Sequence, residues 1–270
     1  MRRRQWLIGL GFTMPGVLAQ TDAAWSQIEK RGVLRVAADP SLGMPYFALN
    51  PTTGQYQGFE WELLQGLERV LGIQVQVTEV LWPQQRQVLR QGGVDVLFNL
   101  QEAPDLQTQP FLLTRPYYLT SQTVLTHTAR SLTGIGDLVG ARVGVLKGSG
   151  GAALVDAHNL YRAKGIRPFA ANSAPELIQK LQQRQLEAVV LDTPLAQWLS
   201  RGTPLSVAPL TLLPVPLVGV VRQDEPSLKN ALDRGLQQLK QAGTLEKVLR
   251  KWQLWNSLQT RSSLRSSLKG

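Results

Sequence analysis

Short apolar runs alternate with helix-patterned stretches along most of this chain, and that alternation limits its fold more than any other feature. The runs occupy residues 33–38, 73–78, 94–99, 123–126, 142–146, 188–191 and 217–221 and read as strands. Between many of them the apolar period changes. Leu63, Leu64, Leu67, Val70 and Leu71 recur at helical spacing, and Gly72 follows as a stop. Pro83 and Pro175 stand where helices begin, ahead of Val88-Leu89 and of Leu177, Ile178 and Leu181. Leu228, Leu232, Leu236 and Leu239 form one face of a later helix ended by Gly243, and Leu245, Val248, Leu249 and Trp252 pattern another. Strand and helix in alternation predict an α/β protein with largely parallel sheets covered on both faces.

Composition removes whole classes of function. With 43% apolar and 18% charged residues the chain can bury a core and is not an obvious multi-span membrane protein. Cysteine is absent, which excludes disulfides, thiol catalysis and cysteine-ligated metals. His127 and His158 have no paired spacing, so no zinc or iron site is expected, and no cofactor either. The formal charge of +10 includes Arg2, Arg3 and Arg4 at the extreme N-terminus, and further basic residues lie in the last stretch of chain. No basic stripe carries interleaved aromatics, so nucleic acid is not an expected partner. Charge of this size serves solubility.

Arg2-Arg3-Arg4, the apolar run over residues 6–18 and the small residue Ala19 have the layout of an export signal, expected over residues 1–24. The run is shorter than the roughly 20 apolar residues that span a bilayer comfortably. An uncleaved anchor is the competing reading. With no cysteine after the run, lipid attachment there is not expected, and a free periplasmic protein is the natural reading. Residues 256–270, rich in Ser and basic side chains, are expected to form a flexible tail.

Several segments then carry a family resemblance in one continuous order. They are Gly32-Val33-Leu34-Arg35-Val36-Ala37-Ala38-Asp39 with Pro45-Tyr46, Gly58-Phe59-Glu60-Trp61-Glu62-Leu63, Val94-Asp95-Val96-Leu97 and Arg115-Pro116-Tyr117-Tyr118. After them come Gly140-Ala141-Arg142-Val143-Gly144-Val145, Gly148-Ser149-Gly150, Glu187-Ala188-Val189-Val190-Leu191-Asp192, Gly243-Thr244 and Lys251-Trp252. The set resembles the solute-binding proteins of polar amino-acid ABC transporters, bacterial extracellular solute-binding protein family 3. The resemblance implies a two-lobed Venus-flytrap fold, each lobe a mixed, mostly parallel sheet flanked by helices. Lobe 1 would combine residues 25–121 with 216–255, and lobe 2 would be residues 122–215. It also implies an extracytoplasmic receptor that captures a small polar solute by lobe closure, works with a membrane permease and is a monomer.

The candidate site follows from both lines. Asp39 and Asp192 each end an apolar strand, and a carboxylate there is placed to accept hydrogen bonds from an ammonium group. The resemblance gives Asp192 the ligand's α-amino group, while a helix N-cap before Thr193-Pro194 competes for it. Trp82 stands where the family carries an aromatic ligand wall, a core tryptophan being the alternative. Tyr46 lines the cleft mouth. Ser149 and Gly150 offer a hydroxyl and backbone N–H groups to an anionic group, or form a simple turn.

One departure stands out. After residues 94–99 the family presents an arginine that grips the ligand carboxylate, whereas here Asn99, Glu102 and Gln107 occupy the aligned stretch and no arginine lies between Arg90 and Arg115. Glu102 would join Asp39 and Asp192 in a pocket that then favours a cationic or amine-bearing solute. The alternative is that Arg115, Lys147 or backbone amides replace the arginine. No catalytic set is expected, since Ser149 has neither His127 nor His158 at a motif spacing. The rival function is an exported dehydratase on the same fold, acting on prephenate or arogenate with Glu102 as general acid.

Overall fold

The computed structural model describes residues 22–127 and 132–260. The expected export signal, but for its last three residues, and the tail beyond residue 260 lie outside the described residues. In chain order, α1 (Ala24–Arg31) leads into β1 (Val33–Ala38), and a hairpin of β2 (Ala48–Leu49) and β3 (Tyr56–Gln57) precedes α2 (Phe59–Leu71). Then follow β4 (Gln74–Glu79), α3 (Gln85–Arg90), β5 (Val96–Leu97) and β6 (Phe111–Leu113). The central stretch runs β7 (Tyr118–Thr126), β8 (Arg142–Leu146), α4 (Gly150–Asn159), β9 (Arg167–Ala171), α5 (Ala174–Gln182), β10 (Ala188–Asp192), α6 (Thr193–Leu199), β11 (Ser206–Val207) and β12 (Leu212–Leu217). The chain closes with β13 (Val220–Arg222), α7 (Pro226–Gln241), α8 (Thr244–Lys251) and α9 (Ser257–Thr260).

Two sheets result. The first has the order β4-β1-β5-β13-β6, with β4, β1 and β5 parallel and β13 antiparallel to both its neighbours. The second has the order β11-β7-β10-β8-β9, with β12 also paired to β7. Within it β10, β8 and β9 are parallel, and every antiparallel pairing involves β7. Separate apolar clusters pack on both faces of each sheet, as the alternation of strand and helix requires.

The main helix of the first half shows why these residues take this form. Phe59, Leu63, Leu64 and Leu67 fall on one face of α2 and are fully buried, each stabilising the fold by about 1.5–3 kcal/mol. Gly72, at φ 67°, ends the helix in the left-handed conformation. Gly58, at φ 120°, starts it, and a Cβ there would run into the carbonyl oxygen of Tyr46. The glycine of the Gly58-Phe59-Glu60 motif therefore lets the loop that carries Tyr46 lie against the start of α2.

The chain passes between the sheets on two paired strands, Tyr118 of β7 opposite Leu217 of β12 and Thr120 opposite Val215. The apolar run at 217–221, expected as one strand, is divided by this passage: β12 ends at Leu217 in one sheet and β13 begins at Val220 in the other. Gly219 makes the turn, where its N–H donates to Thr114 Oγ1 at 2.8 Å. The run at 94–99 is a strand only over Val96–Leu97, because Asp95 takes the Arg35 N–H on its own carboxylate at 2.8 Å. The expected flexible tail begins as structure: α9 places Gln259 against β7, where its Oε1 accepts from Leu119 N at 3.1 Å and its Nε2 donates to Leu119 O at 2.8 Å.

Candidate functional site

A cavity of about 380 Å³ opens where the strands of the two sheets end. Trp82, Leu100 and Glu102 line it from the first half of the fold, and Lys147, Ser149, Gly150 and Asp192 from the second, with Tyr46 and Gln122 between them. This is where open α/β sheets bind ligands, because the turns after the parallel strands converge there. A larger groove of about 700 Å³ runs beside α7 and contains none of the expected site residues.

Asp192 ends β10 and meets two hydroxyls. Tyr46 Oη donates to its Oδ1, and Thr120 Oγ1 donates to its Oδ2 at 2.5 Å. Burial pushes the Asp192 carboxyl up to about 6, against the lowering effect of the Thr120 and Tyr46 bonds and the Leu195 N–H, with Glu60 adding a smaller upward push. Burial and the Asp192 charge raise the Tyr46 hydroxyl well above its ordinary value, so Tyr46 remains the donor. Asp192 stands at the N-cap position of α6 with no full side-chain cap bond, although the Leu195 N–H of the first turn lies near enough to lower its carboxyl. A carboxylate offers about four lone-pair sites, and two hydroxyls leave room for further donors.

Trp82 lines the cavity and does not belong to the buried core. It is half-buried at the start of a 3₁₀ turn, its main-chain N–H donating to Asp39 Oδ2 at 2.8 Å. Its indole N–H donates to the carbonyl oxygens of Asn99 at 3.1 Å and Leu100 at 3.3 Å, which fixes the ring edge while the side chain lines the cavity. The Arg86 guanidinium carbon lies 5.5 Å from the ring centroid, a cation–π distance.

Asp39 and Asn99 stand behind this wall rather than in the cavity. Asp39 Oδ1 accepts from Ser41 N at 2.9 Å and Ser41 Oγ at 2.6 Å, and its other oxygen holds Trp82. Asn99 accepts from Asp39 N at 2.7 Å and Gln85 Nε2 at 3.1 Å, and donates to Glu60 Oε2 at 2.9 Å. Gln107 is exposed and outside the cavity, because Leu106 takes the buried position and the next residue turns outward. Ser149 lines the cavity, but its hydroxyl caps α4: it accepts from Ala152 N at 3.2 Å and donates to Leu146 O at 2.7 Å. Arg115 is remote, its guanidinium donating to Gln237 Oε1 at 3.0 Å beside the α7 groove. Lys147 is the cation that lines the cavity among the described residues.

Glu60 and Gln122, like Thr120 and Asn172, escaped the sequence reading of the site. Glu60, fully buried, accepts from Tyr117 Oη at 2.6 Å, Leu100 N at 3.0 Å and Asn99 Nδ2, and so ties α2 to the loop behind Trp82. Burial raises its carboxyl to about 7 despite those bonds. The Gly58-Phe59-Glu60 motif was its available signal. Gln122, 3% exposed on β7, lines the cavity and had none.

Among the described residues no group of three or more His, Cys, Asp or Glu could hold a metal, and no helix is long and apolar enough to cross a membrane. Solved structures match the fold closely. A mutant of ArgBP from T. maritima is 21% identical, covering 85% of this chain and 98% of its own at a TM-score of 0.69. The ancestral amino acid-binding protein AncCDT-1, a precursor of cyclohexadienyl dehydratase, is 24% identical over 84% of this chain and 98% of its own, TM-score 0.71. AbpA from Streptococcus pneumoniae, bound to L-arginine, is 21% identical over 84% and 97%, TM-score 0.70. No curated protein matched the chain. The family profile of the bacterial extracellular solute-binding proteins, family 3, matches residues 34–254, and the chain belongs to that family.

Proposed function

We propose that this protein is the extracytoplasmic receptor of an ABC importer and that it captures a cationic or amine-bearing solute between its halves. One observation carries the reading: the Asp192 carboxylate lines the cavity with lone pairs left over from the Tyr46 and Thr120 hydroxyls, and no arginine lines the cavity among the described residues. A solute ammonium or guanidinium answers those lone pairs, and the Trp82 face adds a surface on which a cation or an apolar stem stacks. Two similar structures, AbpA bound to L-arginine and an arginine-bound ArgBP, support the same direction.

The mechanism is closure without chemistry. Residues 25–121 with 216–255 form one half and 122–215 the other, joined by β7 and β12. Contacts from both halves favour the closed form over the open one, and a membrane permease reads that form. Export by residues 1–24, action in the periplasm and a monomeric state complete the proposal.

Calorimetric titration of the purified protein with L-arginine, L-lysine, putrescine, L-glutamine and L-glutamate tests it. The basic solutes bind and the acidic one does not; tighter binding of L-glutamate or L-glutamine would refute the cationic preference. Incubation with prephenate that yields an aromatic product would place the protein among the dehydratases instead.

A further inference from the structure

A second contact joins the two halves away from the cavity. Trp198 of α6 meets Trp252, the residue after α8, with ring centroids 6.0 Å apart and planes tilted by 49°. The guanidinium carbon of Arg201, just beyond α6, lies 4.5 Å from the centroid of the Trp198 ring. Its Nη2 donates to Trp252 O at 3.3 Å and to Gln253 Oε1 at 3.1 Å. None of these four residues lines the cavity.

Each ring is anchored in a different half. Trp252 packs on the apolar cluster of the first sheet, and its indole N–H donates to Glu62 Oε1 of α2 at 3.2 Å. On α6, Ala196 is buried in a cluster of the second sheet with Leu195 and Leu199 packed against it. Trp198, half-buried, packs against no apolar cluster of the described residues. A large ring that its own half leaves uncovered is stabilised by the ring it does meet. Gln253 stands at φ 61°, a left-handed backbone that glycine adopts with less strain at the end of a helix. The side chain kept there against that preference is the one that receives Arg201.

The same two bodies also meet inside the cavity. Asp192 ends β10 and leads directly into α6, while Tyr46, which donates to Asp192, packs on Phe59 at the start of α2 with ring centroids 5.4 Å apart. A rotation about β7 and β12 that parts Tyr46 from Asp192 therefore moves α6 against α2, and Trp198 against Trp252 with it. With the halves closing as the receptor reading above requires, we propose that Trp198, Arg201, Trp252 and Gln253 form a latch outside the cavity that favours the closed form whatever solute is held. The latch contributes equally for every solute, so it sets affinity without setting preference.

Titration of L-arginine, L-lysine and putrescine against the wild type, Trp198→Ala and Gln253→Gly decides the matter, with thermal melts and small-angle X-ray scattering of each unliganded protein. Trp198→Ala loses an aromatic pair and a cation–π contact, so it binds every solute more weakly by one common factor of roughly two- to ten-fold. Its unliganded radius of gyration exceeds that of the wild type. Gln253→Gly weakens binding about two-fold, yet its Tm stays level or rises because the left-handed backbone is relieved. A residue that served only the fold would lower affinity and Tm together. The inference is overturned if Trp198→Ala binds and scatters as the wild type does, if its loss differs from solute to solute, or if Gln253→Gly keeps full affinity. In each of those cases a wild type that binds these solutes and contracts on binding upholds the receptor reading. A wild type that binds none of them removes the receptor reading, while the scattering of unliganded Trp198→Ala still shows whether the two rings hold the halves together.

Discussion

The main-chain N–H of Trp82 donates to Asp39 Oδ2 at 2.8 Å, while the other oxygen of that carboxylate holds Ser41. A residue expected to meet the ligand thus holds in place the tryptophan that lines the cavity. Asp39→Ala removes three accepted bonds to a charged group, each worth about 1.5–3 kcal/mol at most. The expected outcome is a lower Tm and weaker binding of every solute, with the order of preference among solutes unchanged. Thermal melts and titrations check it, and a reversed preference between basic and neutral amino acids would show that Asp39 contacts the guest directly.

Asp192 sets a pH window. Its carboxyl is raised by burial from 3.8 to about 6, so it is ionised at neutral pH and takes up a proton as the solution is acidified through that value. A cationic solute needs the ionised form, and binding therefore weakens between about pH 7 and about pH 5. Asp192→Asn is expected to bind the same solute weakly and with little pH dependence over that range. Dissociation constants measured across the range decide, and an affinity that is flat in the wild type would remove Asp192 from the binding step.

Glu60 has an opposite lesson for stability. Its carboxyl rises from 4.5 to about 7 in the fold, burial outweighing the bonds from Tyr117, Leu100 and Asn99. The folded state thus holds this proton more tightly than the unfolded state does. By linkage its contribution to stability is fullest below the unfolded value and declines as pH rises through about 7. Glu60→Gln, which cannot titrate, is expected to lose less stability than the wild type on going from about pH 5 to about pH 8. Urea unfolding at both pH values measures the difference.

Gln259 takes up the β7 backbone beyond the stretch that β10 pairs, with two bonds to Leu119. Gln259→Ala leaves a buried N–H and a buried carbonyl without partners, at about 1–3 kcal/mol each. Tm is expected to fall by several degrees, given roughly 2–4 °C per kcal/mol in a domain of this size. A melt that is unchanged would mean that α9 is not part of the folded unit.

What the sequence alone determined is the framework. The strands Val33–Ala38 and Arg142–Leu146 coincide with their apolar runs, and α2 ends at the glycine that stops its period, because apolar spacing and a left-handed glycine are local properties that each segment states by itself. The site was only partly legible for the opposite reason. Asp39 and Asp192 look alike in the sequence, each a carboxylate ending an apolar strand. Tertiary contacts alone decide that one is consumed by Ser41 and Trp82 while the other borders the cavity. Glu60 reaches Asn99 from 39 residues away, and Gln122 is buried by strands that return much later in the chain. A side chain's hydrogen-bond partners depend on which distant segments the fold brings to it, and no local pattern encodes them.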